Sequence, residues 1–297
     1  MKASYYPGCT LKTKAINLGE SAVAAMAVFG IDLSELRRWN CCGAVHSLAD
    51  DDLIHQVAPV RVLIRAKEEG SNKLVTLCSM CYNSLARANF IMRNDEEKRD
   101  TINRFMDEEE DYFGDVEVVH FLSFFKDEIG WEKLREKVKI PLEGLKIAPY
   151  YGCTLQRPRE IGIEPAGSFR LMTQLIESLG ATSIYNPAAD QCCGSYQVLG
   201  NPDAAELAVS KILGWAEKIG ADALAMSCPL CEFNIGKKQG PIIETHKISK
   251  EIPTFYFTQL LALALGLDND ICHFELNNKA SIELLKTKNL LTALIKE

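Results

Sequence analysis

The chain has 297 residues, of which 47% are hydrophobic and 25% are charged, a composition typical of a folded globular protein of about two domains. Its 33 basic and 40 acidic residues give a net charge of −7, and no stripe of Lys or Arg follows the chain. This balance disfavours nonspecific binding to nucleic acid, because contacts with phosphates need clustered cations.

The amino-terminal segment "MKASYYPGCT" lacks the apolar core of a secretory signal peptide, so we expect the protein to stay in the cytoplasm. The longest apolar run, "LLALALGL" from Leu260, is much shorter than the ~20 residues that cross a bilayer. We therefore expect a soluble protein without a membrane span.

Strands and helices are predicted to alternate along the first half of the chain. A strand in "KASYY" precedes a helix within "LKTKAINLGESAVAAMAVFG", which ends at Gly30. A second helix is predicted around Leu53 to Glu69, followed by strands in "KLVTLC" and "VEVVHF". Between these two strands, the acidic segment "MRNDEEKRDTINRFMDEEEDYFG" is typical of a solvated helix.

The second half repeats this order. A strand in "KIAPYY" precedes a helix in "GSFRLMTQLIESLG", and a helix from Ala204 to Ile219 precedes strands in "ALAMSC" and "PTFYF". The charged segment "WEKLREKVKIPLEG" interrupts the pattern, so we predict two domains, residues 1–143 and 144–297. The alternation predicts an α/β fold of two duplicated, pseudo-symmetric domains, each with a mainly parallel sheet covered by helices.

Ten of the eleven cysteines form two sets with the same pattern, which is a single cysteine, a CC doublet and a CxxC motif. The gaps are 31 and 35 residues in the first set and 38 and 34 in the second. The flanking sequences agree as well, since "YYPGCTLK" matches "YYGCTLQ" and "CCGAVH" matches "CCGSYQ". The chain is therefore a duplicated domain with one CCG motif in each half.

So many thiols in a cytoplasmic chain favour metal binding or redox chemistry over structural disulfides. At least the first cysteine and the CxxC motif of each set follow predicted strands, at the sheet edge where ligands bind in open α/β folds. Helix N-termini at that edge favour thiolates. We therefore expect the five thiols of each half to converge.

Five thiols per half exceed the four ligands of a structural zinc site or of an ordinary cubane 4Fe-4S cluster. Neighbouring cysteine side chains diverge, so a doublet suits different irons of one polynuclear group better than a single ion. The residues leave two options, a cluster of unusual shape or a cubane with a spare thiol beside it.

These motifs resemble those of the B subunit of heterodisulfide reductase, the methanogen enzyme that reduces the mixed disulfide of coenzyme M and coenzyme B. The resemblance implies that the disulfide lies between two noncubane 4Fe-4S clusters and leaves as two thiols after taking up two electrons and two protons. The implied cluster ligands are Cys9, Cys41, Cys42, Cys78 and Cys81 in the first half and Cys153, Cys192, Cys193, Cys228 and Cys231 in the second.

The sequence contains neither the G-x-G-x-x-G fingerprint of a dinucleotide site nor a P-loop, so no flavin or nicotinamide is expected on this chain. By resemblance, electrons come from a ferredoxin-like 4Fe-4S subunit of the C type, which is linked onward to a flavin subunit of the A type. The substrate carries phosphate, carboxylate and sulfonate groups, which require nearby cations. The candidate contacts follow the first cysteine of each set and are Lys12, Lys14, Arg157 and Arg159.

Three other residues have chemistry of interest. His46, four residues after the first doublet, is a candidate proton donor to a leaving thiolate because its ordinary pKa is ~6.5. His120, inside "VEVVHF", is predicted to be buried structure, and Cys272, outside both sets, is treated as an ordinary thiol.

Two alternative functions remain open. The chain could be the electron-transfer subunit of a flavin-dependent oxidoreductase acting on fumarate, succinate, lactate or glycolate. Such relatives often carry ferredoxin-type cysteine runs, which are absent here. The chain could also be a noncatalytic metal-binding scaffold, which metal analysis would reveal.

Overall fold

The computed structural model describes residues 1–44 and 52–291. In chain order, the strands and α-helices of the first half are β1 (Lys2–Tyr6), α1 (Gly8–Leu11), α2 (Ile16–Val28), β2 (Asp32–Glu35), α3 (Val57–Glu68), β3 (Lys73–Thr76), α4 (Ser79–Asn94), α5 (Glu96–Phe105), β4 (Glu117–His120), α6 (Phe121–Glu128) and α7 (Trp131–Lys137). A 3-10 turn at Leu53–Gln56 leads into α3.

Those of the second half are β5 (Lys146–Tyr150), α8 (Arg170–Ser178), β6 (Thr182–Ser183), α9 (Pro202–Lys218), β7 (Ala223–Met226), α10 (Pro229–Cys231), α11 (Gln239–His246), β8 (Thr254–Tyr256), α12 (Phe257–Ala264), α13 (Asn269–Cys272) and α14 (Lys279–Thr287). A π-helix at Glu232–Lys237 follows α10, and 3-10 turns lie at Arg159–Ile161, Ser195–Gln197 and Phe274–Leu276.

Each half contains one four-stranded sheet, with strand orders β2-β1-β3-β4 and β6-β5-β7-β8. All neighbouring strands in both sheets run parallel. The registers are equivalent, since Tyr6 lies opposite Thr76 in the first sheet and Tyr150 lies opposite Met226 in the second. The predicted α/β fold with two duplicated, parallel-sheet domains is confirmed.

The sequence patterns missed two strands, β2 and β6. Both are short edge strands, and their residues, "DLSE" and "TS", are mostly polar. An edge strand pairs on one side only, so it lacks the continuous apolar pattern of central strands such as β7, in which all four residues are buried. These two strands matter because each leads into a cysteine doublet.

Helices α2 and α12 pack against each other and join the two halves. Buried polar groups fix this contact, because the Ser21 hydroxyl donates to Thr258 Oγ1 at 2.8 Å and the Thr258 hydroxyl donates to the Leu18 carbonyl at 3.1 Å. The apolar surface that these two helices bury against each other also stabilises the fold, by about 25 cal/mol for each Å² removed from water.

The segment after α7 crosses to the second half. The amides of Lys139 and Ile140 both donate to the Ala264 carbonyl, and the amide of Leu142 donates to the Leu179 carbonyl. The division into domains between residues 143 and 144 stays a prediction. Among the described residues, no helix combines the length and the apolar character needed to cross a membrane.

Candidate metal centres

The cysteines of each set lie at the carboxyl edge of a sheet. Cys9 follows β1, the doublet Cys41–Cys42 lies in the loop after β2, and Cys78 is the N-cap residue of α4 after β3. Cys81 is in the first turn of α4. The second set repeats this placement after β5, β6 and β7. Parallel strands end at the same edge, so the three groups of thiols of each half come together there.

Six of the ten thiols are buried. Their exposed fractions range from 2% to 6%, and they are Cys42, Cys78, Cys81, Cys193, Cys228 and Cys231. The other four differ between the halves, since Cys9 and Cys41 are exposed whereas Cys153 and Cys192 are half-buried.

The second doublet cysteine contacts the last cysteine of the CxxC motif in both halves. The Sγ atoms of Cys42 and Cys81 are 3.6 Å apart, and those of Cys193 and Cys231 are 3.4 Å apart. Hydrogen bonds with the thiols of Cys41 and Cys81 lower the pKa of Cys42 well below its ordinary value, and the same contacts raise the pKa values of Cys41 and Cys81. The three thiols therefore concentrate negative charge on Cys42, the form in which a cysteine binds metal.

Backbone N–H groups also point at the thiols. The amide of Gly194 donates to Cys192 Sγ at 3.3 Å. A hydrogen bond from Cys153 lowers the pKa of Cys192 to about 6, and the Gly194 amide and the Arg157 charge act in the same direction. Cys192 therefore lies in surroundings that favour negatively charged sulfur.

A glycine precedes the first cysteine of each set and faces the last. Gly8 has a φ of +71°, and a Cβ on it would lie 2.8 Å from Cys81 Sγ. Gly152 has a φ of +67°, and its Cβ would lie 3.2 Å from Cys231 Sγ. The backbone thus approaches the thiols so closely that a side chain at either position would enter the space between the cysteines.

The two cysteine sets meet where the halves join. The thiol of Cys228 lies close enough to Cys78 to lower its pKa, and the thiol of Cys81 acts in the same direction. Beside them, the buried hydroxyls of Ser79 and Ser227 share a hydrogen bond of 2.5 Å. The segments that carry the two CxxC motifs therefore meet where the halves join.

The first half also holds the loop that follows Cys153. The Asn83 side chain donates to the carbonyls of Thr154, at 2.8 Å, and of Arg157, at 2.6 Å. The Tyr82 hydroxyl donates to the Ile161 carbonyl at 2.8 Å. Residues 154–161 are thereby fixed at both ends by α4.

The four predicted anion contacts are all exposed. Lys12 forms an ion pair of 2.8 Å with Glu35, and Arg157 forms one of 3.1 Å with Asp190. Each pair joins the loop after the first cysteine of a set to the segment before its doublet. Lys14 and Arg159 lie in the same two loops as Lys12 and Arg157.

The remaining predicted residues have different environments. His46 lies outside the described residues, so its role as a proton donor stays a prediction. His120 is buried as predicted, and burial lowers its pKa to about 4 although a hydrogen bond to the Leu77 carbonyl opposes this shift. Cys272 is fully buried, and burial raises its pKa to about 12.

The donor set fits an iron–sulfur group. Within residues 1–44 and 52–291, no three His, Cys, Asp or Glu side chains form a site for a single metal ion. The thiols are instead arranged in contacting pairs, with glycines that leave space beside them. Cysteine thiolates are the ligands of iron in such clusters.

Two cavities lie away from these thiols. A cavity of about 1060 Å³ is lined by α6, α8 and residues 163–169. A groove of about 430 Å³ follows α2 and is lined by apolar residues together with Lys12, Glu20 and Glu35. None of the ten cysteines is among the lining residues of either cavity.

The sequence patterns did not single out Gly8, Gly152, Ser79, Ser227 or Asn83. The repeat offered a signal for the two glycines, because each directly precedes the first cysteine of its set. Ser79 follows Cys78 and Ser227 precedes Cys228, but only the contact between the halves shows that the two serines meet.

Comparison with known proteins identifies the repeated unit. The family model described as "Cysteine-rich domain" (CCG) matches residues 3–86 and 147–236. Each match contains one complete set of five cysteines.

Curated relatives match along nearly the whole chain. The 8-methylmenaquinol:fumarate reductase membrane anchor subunit of Wolinella succinogenes is 32% identical over 89% of this chain and 92% of its own length. The B subunit of the ferredoxin/F420H2-dependent CoB-CoM heterodisulfide reductase of Methanosarcina acetivorans is 30% identical, and the match covers 96% of both chains. A protein of Archaeoglobus profundus, named as similar to the B subunit of heterodisulfide reductase, is 26% identical over 90% of this chain and 92% of its own length.

A solved structure shares the fold. A hypothetical protein from Helicobacter pylori superposes with a TM-score of 0.72 at 14% identity, and the match covers 93% of this chain. The chain spans about half of that structure, 51% of its length. The two family matches and the relatives above lead to one conclusion: the chain belongs to the family of cysteine-rich CCG-domain proteins and resembles the B subunit of heterodisulfide reductase within it.

Proposed function

We propose that this chain reduces the mixed disulfide of coenzyme M and coenzyme B to two thiols. The reaction takes up two electrons and two protons, breaks one S–S bond and forms two S–H bonds. Two electron-donating centres close to one substrate with two sulfur atoms would supply these electrons.

The observation that carries this proposal is the contact between the two cysteine sets. Ser79, beside Cys78, and Ser227, beside Cys228, share a hydrogen bond of 2.5 Å, and the Cys228 thiol lies close enough to Cys78 to lower its pKa. Two centres held by these sets would therefore be neighbours. A disulfide is a substrate whose two halves match such a pair of equivalent sites.

Each set would hold one noncubane 4Fe-4S cluster, through Cys9, Cys41, Cys42, Cys78 and Cys81 in the first half and Cys153, Cys192, Cys193, Cys228 and Cys231 in the second. When bound, the clusters would supply single-electron transfer and thiophilic iron. Three of these cysteines, Cys42, Cys78 and Cys192, have pKa values that neighbouring thiols lower, with help from backbone amides.

The chain's cations would bind the anionic groups of the substrate. Arg157 suits this role because Asn83 fixes its backbone while its side chain stays exposed. Its pair with Asp190 and that of Lys12 with Glu35 would open to admit a phosphate, carboxylate or sulfonate. Lys14 and Arg159, in the same two loops, would add positive charge that attracts the anionic substrate. His46 is the proposed proton donor.

Electrons would come from a ferredoxin-like subunit and, through it, from a flavin subunit. The names of the relatives support membership in a reductase with several subunits. The proposed site of action is the cytoplasm.

A second function has a specific observation in its favour. The relative that is 32% identical is named as a subunit of a fumarate reductase. In that role the chain would pass electrons between a donor and a flavin subunit, and neither cysteine set would bind substrate.

The deciding experiment is metal and sulfide analysis of protein purified without oxygen, combined with EPR spectra before and after adding the heterodisulfide. We expect about eight iron atoms per chain, four for each cluster, and a signal that changes on adding the disulfide. Fumarate and the separate thiols CoM-SH and CoB-SH serve as control additions.

Three outcomes separate the candidates. An iron signal that responds to the heterodisulfide and not to the control additions supports the proposed reaction. An iron signal indifferent to the disulfide favours the electron-transfer subunit. Zinc without iron contradicts both and leaves the scaffold.

A further inference from the structure

Two buried tyrosines hold the backbone in front of the cysteine doublets. The Tyr6 hydroxyl donates to the Asn40 carbonyl at 2.8 Å, and the Tyr150 hydroxyl donates to the Gln191 carbonyl at 2.7 Å. Asn40 directly precedes Cys41, and Gln191 directly precedes Cys192. The same bond thus occurs at the same place in both halves.

The tyrosine rings lie among the thiols. Tyr6 and Tyr150 are 0% and 1% exposed. Burial raises the pKa of both hydroxyls, and the nearby thiols, chiefly Cys81 for Tyr6 and Cys231 for Tyr150, raise it further. Because a carbonyl oxygen can only accept, each hydroxyl is the donor in its bond.

The correspondence between Tyr6 and Tyr150 is not evident when the sequences "YYPGC" and "YYGC" are aligned. In the structure Tyr6 matches Tyr150, because each is the last residue of its strand and lies three residues before the first cysteine. Pro7 then matches Tyr151, whose hydroxyl serves another purpose. It donates to Glu164 at 2.6 Å and accepts from the Met172 amide at 2.8 Å.

The first doublet has additional support. The Asn40 side chain donates to the Ala58 carbonyl at 3.0 Å and accepts from Arg65 at 2.9 Å. These bonds hold Asn40 from its other side, so loss of the Tyr6 hydroxyl should loosen the first doublet less than loss of the Tyr150 hydroxyl loosens the second.

We propose that Tyr6 and Tyr150 are positioning residues for the two cysteine doublets. Each hydroxyl fixes the carbonyl before a doublet, and this carbonyl sets the direction in which both thiols of the doublet leave the backbone. The inference rests on one part of the proposed function, that each set holds an iron–sulfur cluster, and does not depend on the substrate.

The test compares Tyr6→Phe and Tyr150→Phe in the full chain, since these variants keep the ring and lose only the hydroxyl. We expect iron retention at the affected site to weaken about tenfold against a chelator, as for other groups that orient metal ligands. The midpoint potential and EPR signal of that cluster should change while those of the other cluster stay. Tyr150→Phe should have the larger effect.

A second readout uses reduced, cluster-free protein. We expect iodoacetamide to alkylate Cys192 faster in Tyr150→Phe, and Cys41 faster in Tyr6→Phe, as measured by peptide mass spectrometry. The matched controls are Tyr151→Phe and Tyr112→Phe, which also remove a buried, hydrogen-bonded hydroxyl but lie outside the doublet loops. These controls should keep wild-type iron retention, potentials and alkylation rates.

Two results would overturn the inference. One is wild-type iron retention, potentials and alkylation in both Tyr6→Phe and Tyr150→Phe. The other is an equal change in Tyr151→Phe and Tyr112→Phe, which would indicate general damage to the core. An iron-containing protein that leaves the heterodisulfide intact would contradict the proposed reaction and leave this inference standing, because both readouts are made without substrate.

Discussion

The two cysteine sets share one scaffold but differ in how they are covered. Cys9 and Cys41 are exposed in the first half, whereas Cys153 and Cys192 are half-buried in the second. The contacts between doublet and CxxC motif are nearly the same, at 3.6 Å and 3.4 Å. The difference in cysteine exposure between the halves therefore arises outside the contact that they share.

The loops after the first cysteines are held differently in the two halves. In the second half, Asn83 and Tyr82 hold residues 154–161 from the other half of the molecule. In the first half, the amides of Thr13 and Lys14 bond to the Thr10 carbonyl of their own loop. Among the described residues, the more enclosed site thus occurs beside a loop that the other half holds, and the more open site beside a loop that bonds to itself.

The largest effect is expected for Gly8→Ala. Its positive φ and the approach of a Cβ to within 2.8 Å of Cys81 Sγ should lower the free energy of unfolding by about 1–3 kcal/mol and reduce the iron bound. Gly152→Ala, with 3.2 Å to Cys231, should lose less iron. Gly70→Ala is the control, because its φ is +77° but a Cβ meets nothing within 4 Å. Iron loss equal to Gly8→Ala in this control would contradict the prediction.

Asn83→Ala should make the two sites more alike. It leaves the carbonyls of Thr154 and Arg157 without their donor, which should cost about 1–3 kcal/mol in the free energy of unfolding. In cluster-free protein, Cys153 should then be alkylated at a rate closer to that of Cys9. Asn94→Ala removes an exposed asparagine from the same helix and should change neither rate. Continued slow alkylation of Cys153 in Asn83→Ala would show that the loop is held by other contacts.

Ser79→Ala tests the contact between the halves. Removing one hydroxyl leaves the other buried and unpaired, so we expect a loss of about 1–2 kcal/mol in urea unfolding. The double variant with Ser227→Ala should be about as stable as either single variant, because both depend on the same bond. Additive losses would place the two hydroxyls in separate interactions.

The smallest effect concerns a histidine that joins the halves at the surface. Burial lowers the pKa of His273, but its hydrogen bonds to Glu20, at 2.6 Å, and to Glu275 outweigh burial and raise it. The raised pKa means that the bond stabilises the fold below about pH 6.5 and that this contribution fades as the pH rises through the folded-state pKa. His273→Gln should therefore lose about 0.5–1 kcal/mol at pH 5.5 and much less at pH 8.5.

Urea unfolding at both pH values measures this effect, with His246→Gln as the control. A loss in His273→Gln that is equal at pH 5.5 and pH 8.5 would mean that the protonated ring contributes nothing specific.

Much of the fold could be predicted because the central strands are short apolar runs that end at cysteines. The sequences "KLVTLC" and "ALAMSC" indicate both the strand and the position of its carboxyl end. The polar edge strands β2 and β6 carry no such pattern, so the doublets could not be placed at the same edge from sequence alone.

Contacts between the halves could not be predicted from sequence patterns, for a different reason. Spacing along the chain does not encode how two domains dock, so the Ser79–Ser227 bond and the hold of Asn83 on residues 154–161 had no signal. The tyrosine pair had a misleading one, since Tyr151 stands where the first half has Pro7 and brings the wrong tyrosines into alignment.

The contact between the segments that carry the two CxxC motifs has a consequence for the origin of the molecule. Ser79 follows Cys78 and Ser227 precedes Cys228, so the two bonded serines are neighbours of equivalent cysteines and not counterparts of each other. Cys78 and Cys228 are counterparts, and each shifts the pKa of the other because they lie together where the halves join. Contact between equivalent positions is typical of a dimer of identical subunits with twofold symmetry. Two copies of an ancestral single CCG domain could assemble in this way before any fusion, and joining them freed each copy to acquire its own loops and its own degree of enclosure.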